Sequence, residues 1–370
     1  MPDARKPRRL FGRCVCCVPP SPPAAQAIDR RTLLAGALAT SGVAAAATFA
    51  VPRLAQAQPG QRRIDFHHHQ TPPAFIAAMK RRNMINPSAF AWTPERSLEE
   101  MDKAAVGVAL LSVARPELAF FEDKDEARAV ARESNDYGAK LQSDYKTRFG
   151  VLASLPLPHV DESLKEIEHA FDVLKVDGVC LMTSYGDKWL GHASFAPVMD
   201  ALNARKAIVF VHPIAPNCCA GLKPVPDFAD SVIEYGTDTT RTIASILFSG
   251  TSRRCKDIRF VFAHGGGTAP YLVERFNRAG SNKSLAEYTY DVVMSELRRY
   301  HYDTAIMAHP APLAALTRLA PIKQILFGSD YPFRTPADTA KGIGEFLSAA
   351  DLAAVERGNA LRLIPRLASL

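Results

Sequence analysis

From residue 58 onward, two kinds of apolar pattern alternate along the chain. Short, nearly unbroken apolar runs fall at 63–66, 106–113, 149–155, 178–182, 207–211, 258–263, 299–304 and 325–328. Runs of that length and continuity predict strands buried on both faces, as in a parallel sheet. Between them, 126–145, 162–174, 195–205, 239–248 and 311–319 carry apolar residues three and four apart, the spacing of one helical face. Strand followed by helix, eight times in a chain of this length, predicts an α/β fold of the (β/α)8 TIM-barrel type. The seventh run is the least strand-like, because 299–302 is polar and aromatic. Residues 70–100 form an insertion rich in Pro and Met ahead of the second strand, with a cover over the site as its expected role.

The first 57 residues read differently. IDRRTLLAG pairs Arg30 with Arg31, a soft apolar run covers 33–51, and Ala55-Gln56-Ala57 is a small-x-small cleavage pattern. These features predict a twin-arginine export signal and an exported or periplasmic mature protein. The run is rich in Ala, Gly and Thr and closes at Pro52, too weakly apolar for a stable membrane span. The Pro-rich PPSPPAA leader reads as disordered. The organisation expected is a leader over 1–57 and one domain over 58–370.

Charge changes the picture little. The net charge is +7, but residues 1–57 hold eight basic and two acidic residues, leaving 37 basic against 36 acidic in 58–370. A near-neutral body gives no electrostatic basis for nucleic-acid binding. Hydrophobic residues make up 47% and charged residues 22%, enough apolar matter for one large core. The cysteines beyond the leader are Cys180, Cys218, Cys219 and Cys255, with no CxxC pair, so neither a thiolate zinc site nor a disulfide framework is expected.

Chemistry gathers at the strand ends, where barrel enzymes place it. The first run ends in RIDFHHHQ; the two-residue period of a strand turns His67 and His69 to one face and His68 to the other. The fifth run, AIVFVHP, ends in His212, the sixth, IRFVFAHGGG, in His264, and the eighth, ILFGSDYPF, in Asp330. Four imidazoles and a carboxylate at one rim are more than a single ion needs. Three or four would ligate, and the remaining histidine would be left to move protons. Taken singly, His212 also fits a turn and Asp330 a helix cap. Gly265-Gly266-Gly267 allows close backbone approach but lacks the spacing of a dinucleotide loop.

Together IDxHxH, VHP, AHGGG and GSDYPF resemble the amidohydrolase superfamily, and within it the branch typified by 2-amino-3-carboxymuconate 6-semialdehyde decarboxylase. The resemblance spans about 63–365. It implies a distorted (β/α)8 barrel around one divalent ion, zinc first and manganese as the alternative. By position it implies His67, His69, His212 and Asp330 as metal ligands and His264 as the catalytic histidine; relatives commonly pair as homodimers. The fourth strand ends GVCLMTSYG, without the lysine that bridges two ions in other members, which favours a single metal.

The chemistry expected is a metal-activated water with His264 as general base and then acid, and Asp330 able to exchange a proton as well as ligate. That machinery serves a carboxy-lyase acting on a small aromatic or unsaturated carboxylic acid. It serves equally a hydrolase of a lactone, amide or ester, and a metal-holding barrel without turnover is the third reading. A decarboxylase needs a cation for its substrate carboxylate: Arg115, in SVARPEL, is favoured, and Arg275, Arg241 and Arg334 are further candidates. Trp189 and Tyr185, after the fourth strand, are candidates for stacking on a planar substrate. Asp303 and Thr304, in HYDTA, are expected to support the site, and His68 to pack behind it.

Overall fold

A computed structural model describes residues 62–84, 86–114, 118–216, 218 and 224–369. Residues 1–57, where an export signal is expected, and Arg115 lie outside the described residues. Eight strands follow one another in both sequence and space: Arg63–Gln70, Val106–Val113, Phe149–Ser154, Gly178–Met182, Ile208–His212, Arg259–Phe262, His301–Asp303 and Ile325–Leu326. All seven neighbouring pairs are parallel. The eighth strand is two residues long as a ladder, yet its continuation closes the ring. Phe66 N–H donates to Phe327 O, Asp330 N–H to His67 O and His69 N–H to Tyr331 O, each at 2.8 Å. This is the expected (β/α)8 barrel, distorted where the first strand slips register between Asp65 and His68.

The first strand is longer than its apolar pattern suggests and runs through all three histidines to Gln70, every residue beyond Arg63 buried. Phe66, Phe210, Phe262, Tyr302 and Phe327 are fully buried aromatic side chains of the strands and of the segment after the eighth. Each such side chain removed from water stabilises the fold by about 1.5–3 kcal/mol.

Helix starts follow ordinary capping rules. Asp123, Thr289 and Thr335 accept from the backbone N–H groups of Glu126, Val292 and Asp338, and prolines open the helices Pro94–Lys103, Pro310–Leu319 and Pro336–Phe346. The helix after the fifth strand is Asp230–Phe248, about twice the predicted length. Its first turns carry exposed Val232 and Ile233, so no core-facing stripe marked them. The 70–100 insertion folds into Pro73–Arg81, Pro87–Phe90 and Pro94–Lys103. Phe75, Ala78 and Met79 of the first pack with Val113, Leu118, Phe121, Ala127 and Val130 as a small core of their own. Among the described residues, no helix is long and apolar enough to cross a membrane.

Candidate metal centre

The strand ends bring His67, His69, His212 and Asp330 together, one donor atom from each lying within 4.8 Å of the others. All four are buried. Imidazole orientation is set from behind, at Nδ1. His67 Nδ1–H donates to Asp303 Oδ2 at 2.7 Å, His212 Nδ1–H to Pro213 O at 3.0 Å, and His69 Nδ1 meets Ser112 Oγ at 3.1 Å. Nε2 of each ring is therefore the inward nitrogen. His67 Nε2 and His69 Nε2 are 3.1 Å apart, Asp330 Oδ1 lies 3.3 Å and 3.0 Å from them, and His212 Nε2 is buried with no hydrogen-bond partner. Lone pairs converging in this way repel one another; a divalent cation satisfies all of them at once, and three nitrogens with one oxygen suit it. The residues fit the ion that the resemblance implies.

The electrostatics agree. Burial pulls the His67 imidazole down, but the Asp303 and Asp330 carboxylates outweigh it and push its pKa up to about 10. Burial would raise Asp330, yet the facing His67 charge holds it well below the usual carboxylate range. Burial above all lowers His69 to about 4, and burial with the neighbouring imidazoles puts His212 well below the ordinary histidine value. The site therefore favours a positive charge between its carboxylates while keeping two imidazoles neutral and able to ligate.

His264 stands beside this cluster, its ring centroid 5.0 Å from that of His67 and 5.7 Å from that of His212. Its Nδ1–H donates to Ala305 O at 3.1 Å, which leaves Nε2 unprotonated in the neutral ring. Burial lowers its pKa below the ordinary value. His264 and Asp330 both hold left-handed backbone, φ 53° and 70°. Such strain in residues with side chains collects at sites where the fold overrides local preference.

Two buried carboxylates supply that override. Asp303 Oδ1 accepts from His264 N–H at 2.8 Å and Ala305 N–H at 3.0 Å while Oδ2 holds His67, so one group fixes a ligand and the adjacent histidine together. Asp65 accepts from Ser329 N–H, Ser329 Oγ–H and His67 N–H, which pins the first strand to the segment carrying Asp330. His68 faces the other way, between Asp65 Oδ2 at 3.0 Å and Ser97 Oγ at 2.6 Å, stacked on Tyr331. Gly267 explains the glycine run: a Cβ there would sit 2.0 Å from Gly236 O, so the helix Asp230–Phe248 packs against bare backbone.

The substrate-side candidates are less concentrated. Arg275 is exposed near the end of the helix Ala269–Asn277. Trp189 sits in a two-stranded hairpin, Ser184–Tyr185 with Lys188–Trp189, and its indole N–H donates to Asp238 Oδ1 at 2.7 Å. Sequence reasoning passed over Ser112, Asp65 and Asp238. Asp65 carried a signal, two residues ahead of His67 on the same strand; Ser112 and Asp238 carried none.

Three imidazoles and a carboxylate at the rim of a parallel barrel, with a further histidine beside them, define a metal-dependent barrel enzyme. This chain belongs to the amidohydrolase family, whose model matches residues 64–366. It is 34% identical over 322 residues to a decarboxylase of Penicillium terrestre, covering 82% of this chain and 95% of that one. It is 35% identical over 323 residues to a 6-methylsalicylic acid decarboxylase of Penicillium expansum, covering 82% and 97%. A 2-amino-3-carboxymuconate-6-semialdehyde decarboxylase of Dictyostelium discoideum is 24% identical over 261 residues, covering 69% and 72%, in line with the branch the motifs resemble. Among solved structures, a dihydroxybenzoic acid decarboxylase of a Polaromonas species with bound manganese superimposes with a TM-score of 0.72 at 19% identity, covering 82% of this chain and 96% of that one, a likeness of fold.

Proposed function

We propose that this protein is a metal-dependent carboxy-lyase acting on a small aromatic carboxylic acid. The observation that carries the reading is the division of labour at the rim: four donors within 4.8 Å of one another, and His264 beside them with a separate hydrogen bond to Ala305. The aromatic acids named for the fungal relatives support the substrate class. His67, His69, His212 and Asp330 would hold the ion; we take zinc first and manganese as the alternative, since this donor set serves both. When bound, the ion supplies Lewis-acid polarisation and a fixed positive charge.

The protein's own residues supply the remainder. Burial of the rim excludes bulk water and strengthens every charge interaction there. His264 keeps Nε2 as the proton-carrying atom, taking a proton and delivering it to the ring carbon that bears the carboxylate. The carbon–carbon bond then breaks, its electron pair returns to the ring, and carbon dioxide leaves; the net reaction consumes one proton. Asp303 holds His264 and His67 in place throughout. A homodimer and export through the 1–57 signal belong to the same reading, checked by sedimentation velocity and by mapping the N-terminus of the exported form.

The test is to incubate the metal-loaded protein with a panel of hydroxybenzoic acids and of lactones, esters and amides, following carbon dioxide and hydrolysis products separately. Carbon dioxide from the acids is expected. Hydrolysis products alone would move the protein to the hydrolase reading, and stoichiometric metal with no turnover of any compound to a binding protein.

A further inference from the structure

A cleft of about 660 Å³ opens among the loops that follow the second, third, fourth and fifth strands. That volume falls within the range of small-molecule sites, about 300–1,000 Å³. Phe120 and Ile214 give it apolar wall; Lys188, His159 and the carboxylates of Glu122 and Asp187 give it polar wall. It begins close to the metal centre, since Ile214 lies two residues beyond His212, and Thr183 N–H donates to His212 O at 2.9 Å.

Two of its walls are tied to one buried carboxylate. Asp238, on the helix Asp230–Phe248, is fully buried. Its Oδ2 accepts from Thr183 Oγ–H at 2.5 Å and Ser184 Oγ–H at 2.9 Å, and its Oδ1 from Trp189 Nε1–H at 2.7 Å. These bonds grip the hairpin that carries Lys188 at both ends. Thr183 Oγ1 also accepts from Ile214 N–H at 3.1 Å, extending the hold to the wall beyond the fifth strand. The arrangement costs the burial of a carboxylate, with the Arg241 guanidinium 3.9 Å away as a partial counter-charge. A charge buried for scaffolding alone is commonly replaceable by apolar packing; here it gathers Ser184, which lines the cleft, with Thr183 and Trp189, which flank the lining segment Ser184–Lys188.

Resting on the carboxy-lyase reading, we propose that this cleft receives the ring of the aromatic acid and that Asp238 is a positioning residue for it, fixing the hairpin and the Ile214 segment against the metal centre. Trp189 then serves recognition indirectly, through its bond to Asp238.

The test uses the full metal-loaded chain and 2-hydroxybenzoate as the probe, titrated calorimetrically, alongside steady-state turnover, metal content and thermal melting. Asp238→Ala strands all three donors. Asp238→Asn can turn its amide oxygen to Trp189 and its amide nitrogen to the two hydroxyls, so it serves as the conservative rescue. Expected for Asp238→Ala is a Kd and KM weakened about tenfold, more than kcat falls, with one metal per chain retained; displacement of about an ångström is enough for such losses. Asp238→Asn should recover most of it. Should Asp238→Ala not fold, Trp189→Phe removes one donor only and Phe120→Ala trims the opposite wall; both should weaken Kd several-fold at unchanged metal content. Unchanged Kd and KM in the folded variants, loss of metal with Asp238→Ala, or no binding of the probe to the wild type would each overturn the proposal. Probe binding without carbon dioxide release would leave the cleft assignment standing and remove the reaction.

Discussion

Asp303 shows at the scale of single residues how much of the centre depends on what stands behind it. One carboxylate orients His67 through Oδ2 and fixes the left-handed His264 backbone through Oδ1. Asp303→Ala should weaken metal affinity by about 10–100-fold, measured by competition with a coloured chelator; unchanged affinity would remove it from the centre. His264→Asn should keep the metal and lower kcat by about 10²–10⁴-fold, the usual contribution of a positioned acid–base group. The pH profile has a definite sign. Burial puts the His264 pKa below its ordinary 6.5, so the ring is neutral at pH 7 and charges as pH falls through a value under 6.5. Because the charged ring is the form that delivers the proton, kcat/KM should fall as pH rises through that value, and this limb should be absent from His264→Asn. The five chemical residues were legible because each ends an apolar run and its type is costly to bury. Ser112 and Asp238 were not: a serine within a strand and an aspartate within a helix have the same sequence signature whether or not they hold a distant partner.

Among elements, the strands were easier to read than their ends. Six runs matched the observed strands within a few residues because burial on both faces demands continuous apolar side chains. The first strand overruns its pattern because its last four residues are buried and polar, three of them histidines with side-chain partners elsewhere, and the eighth apolar run exceeds its two-residue ladder because Phe327 and Gly328 continue the run outside it. The insertion is fastened by ionic as well as apolar contact: Glu126, in the first turn of the helix Lys124–Asp144, pairs with Arg82 and, at 3.1 Å, Arg81. The bond to Arg82 holds the Glu126 pKa down to about 2. A depressed carboxylate contributes stability that is fully present above its unfolded value and is lost as pH falls through its folded value. Glu126→Gln should therefore cost up to about 1 kcal/mol near neutrality. In urea titrations, its difference from wild type should shrink between about pH 4.5 and pH 2; a difference that grows in acid would contradict the ion pair.

For the whole molecule, barrel closure and metal binding share residues. Two of the three backbone bonds that join the last strand segment to the first involve His67, His69 and Asp330, all three of them proposed ligands. Metal removal should then loosen the seam: dialysis against a chelator is expected to lower the melting temperature and abolish turnover together, and added zinc or manganese to restore both. Ligand saturated at about 100 times its Kd adds about 2.7 kcal/mol to the folded state. Fold class and family were legible at this scale because strand-ending motifs recur in fixed order. The substrate was not, because the loops that shape the cleft carry no pattern of their own. The proposed centre is tested most directly by the metal content of the purified chain, measured by elemental analysis for wild type and His212→Ala after identical loading and with folding verified. One divalent ion per chain in the wild type and almost none in the variant is the result predicted. An empty wild type, or a variant that keeps its full complement, would contradict the proposed centre.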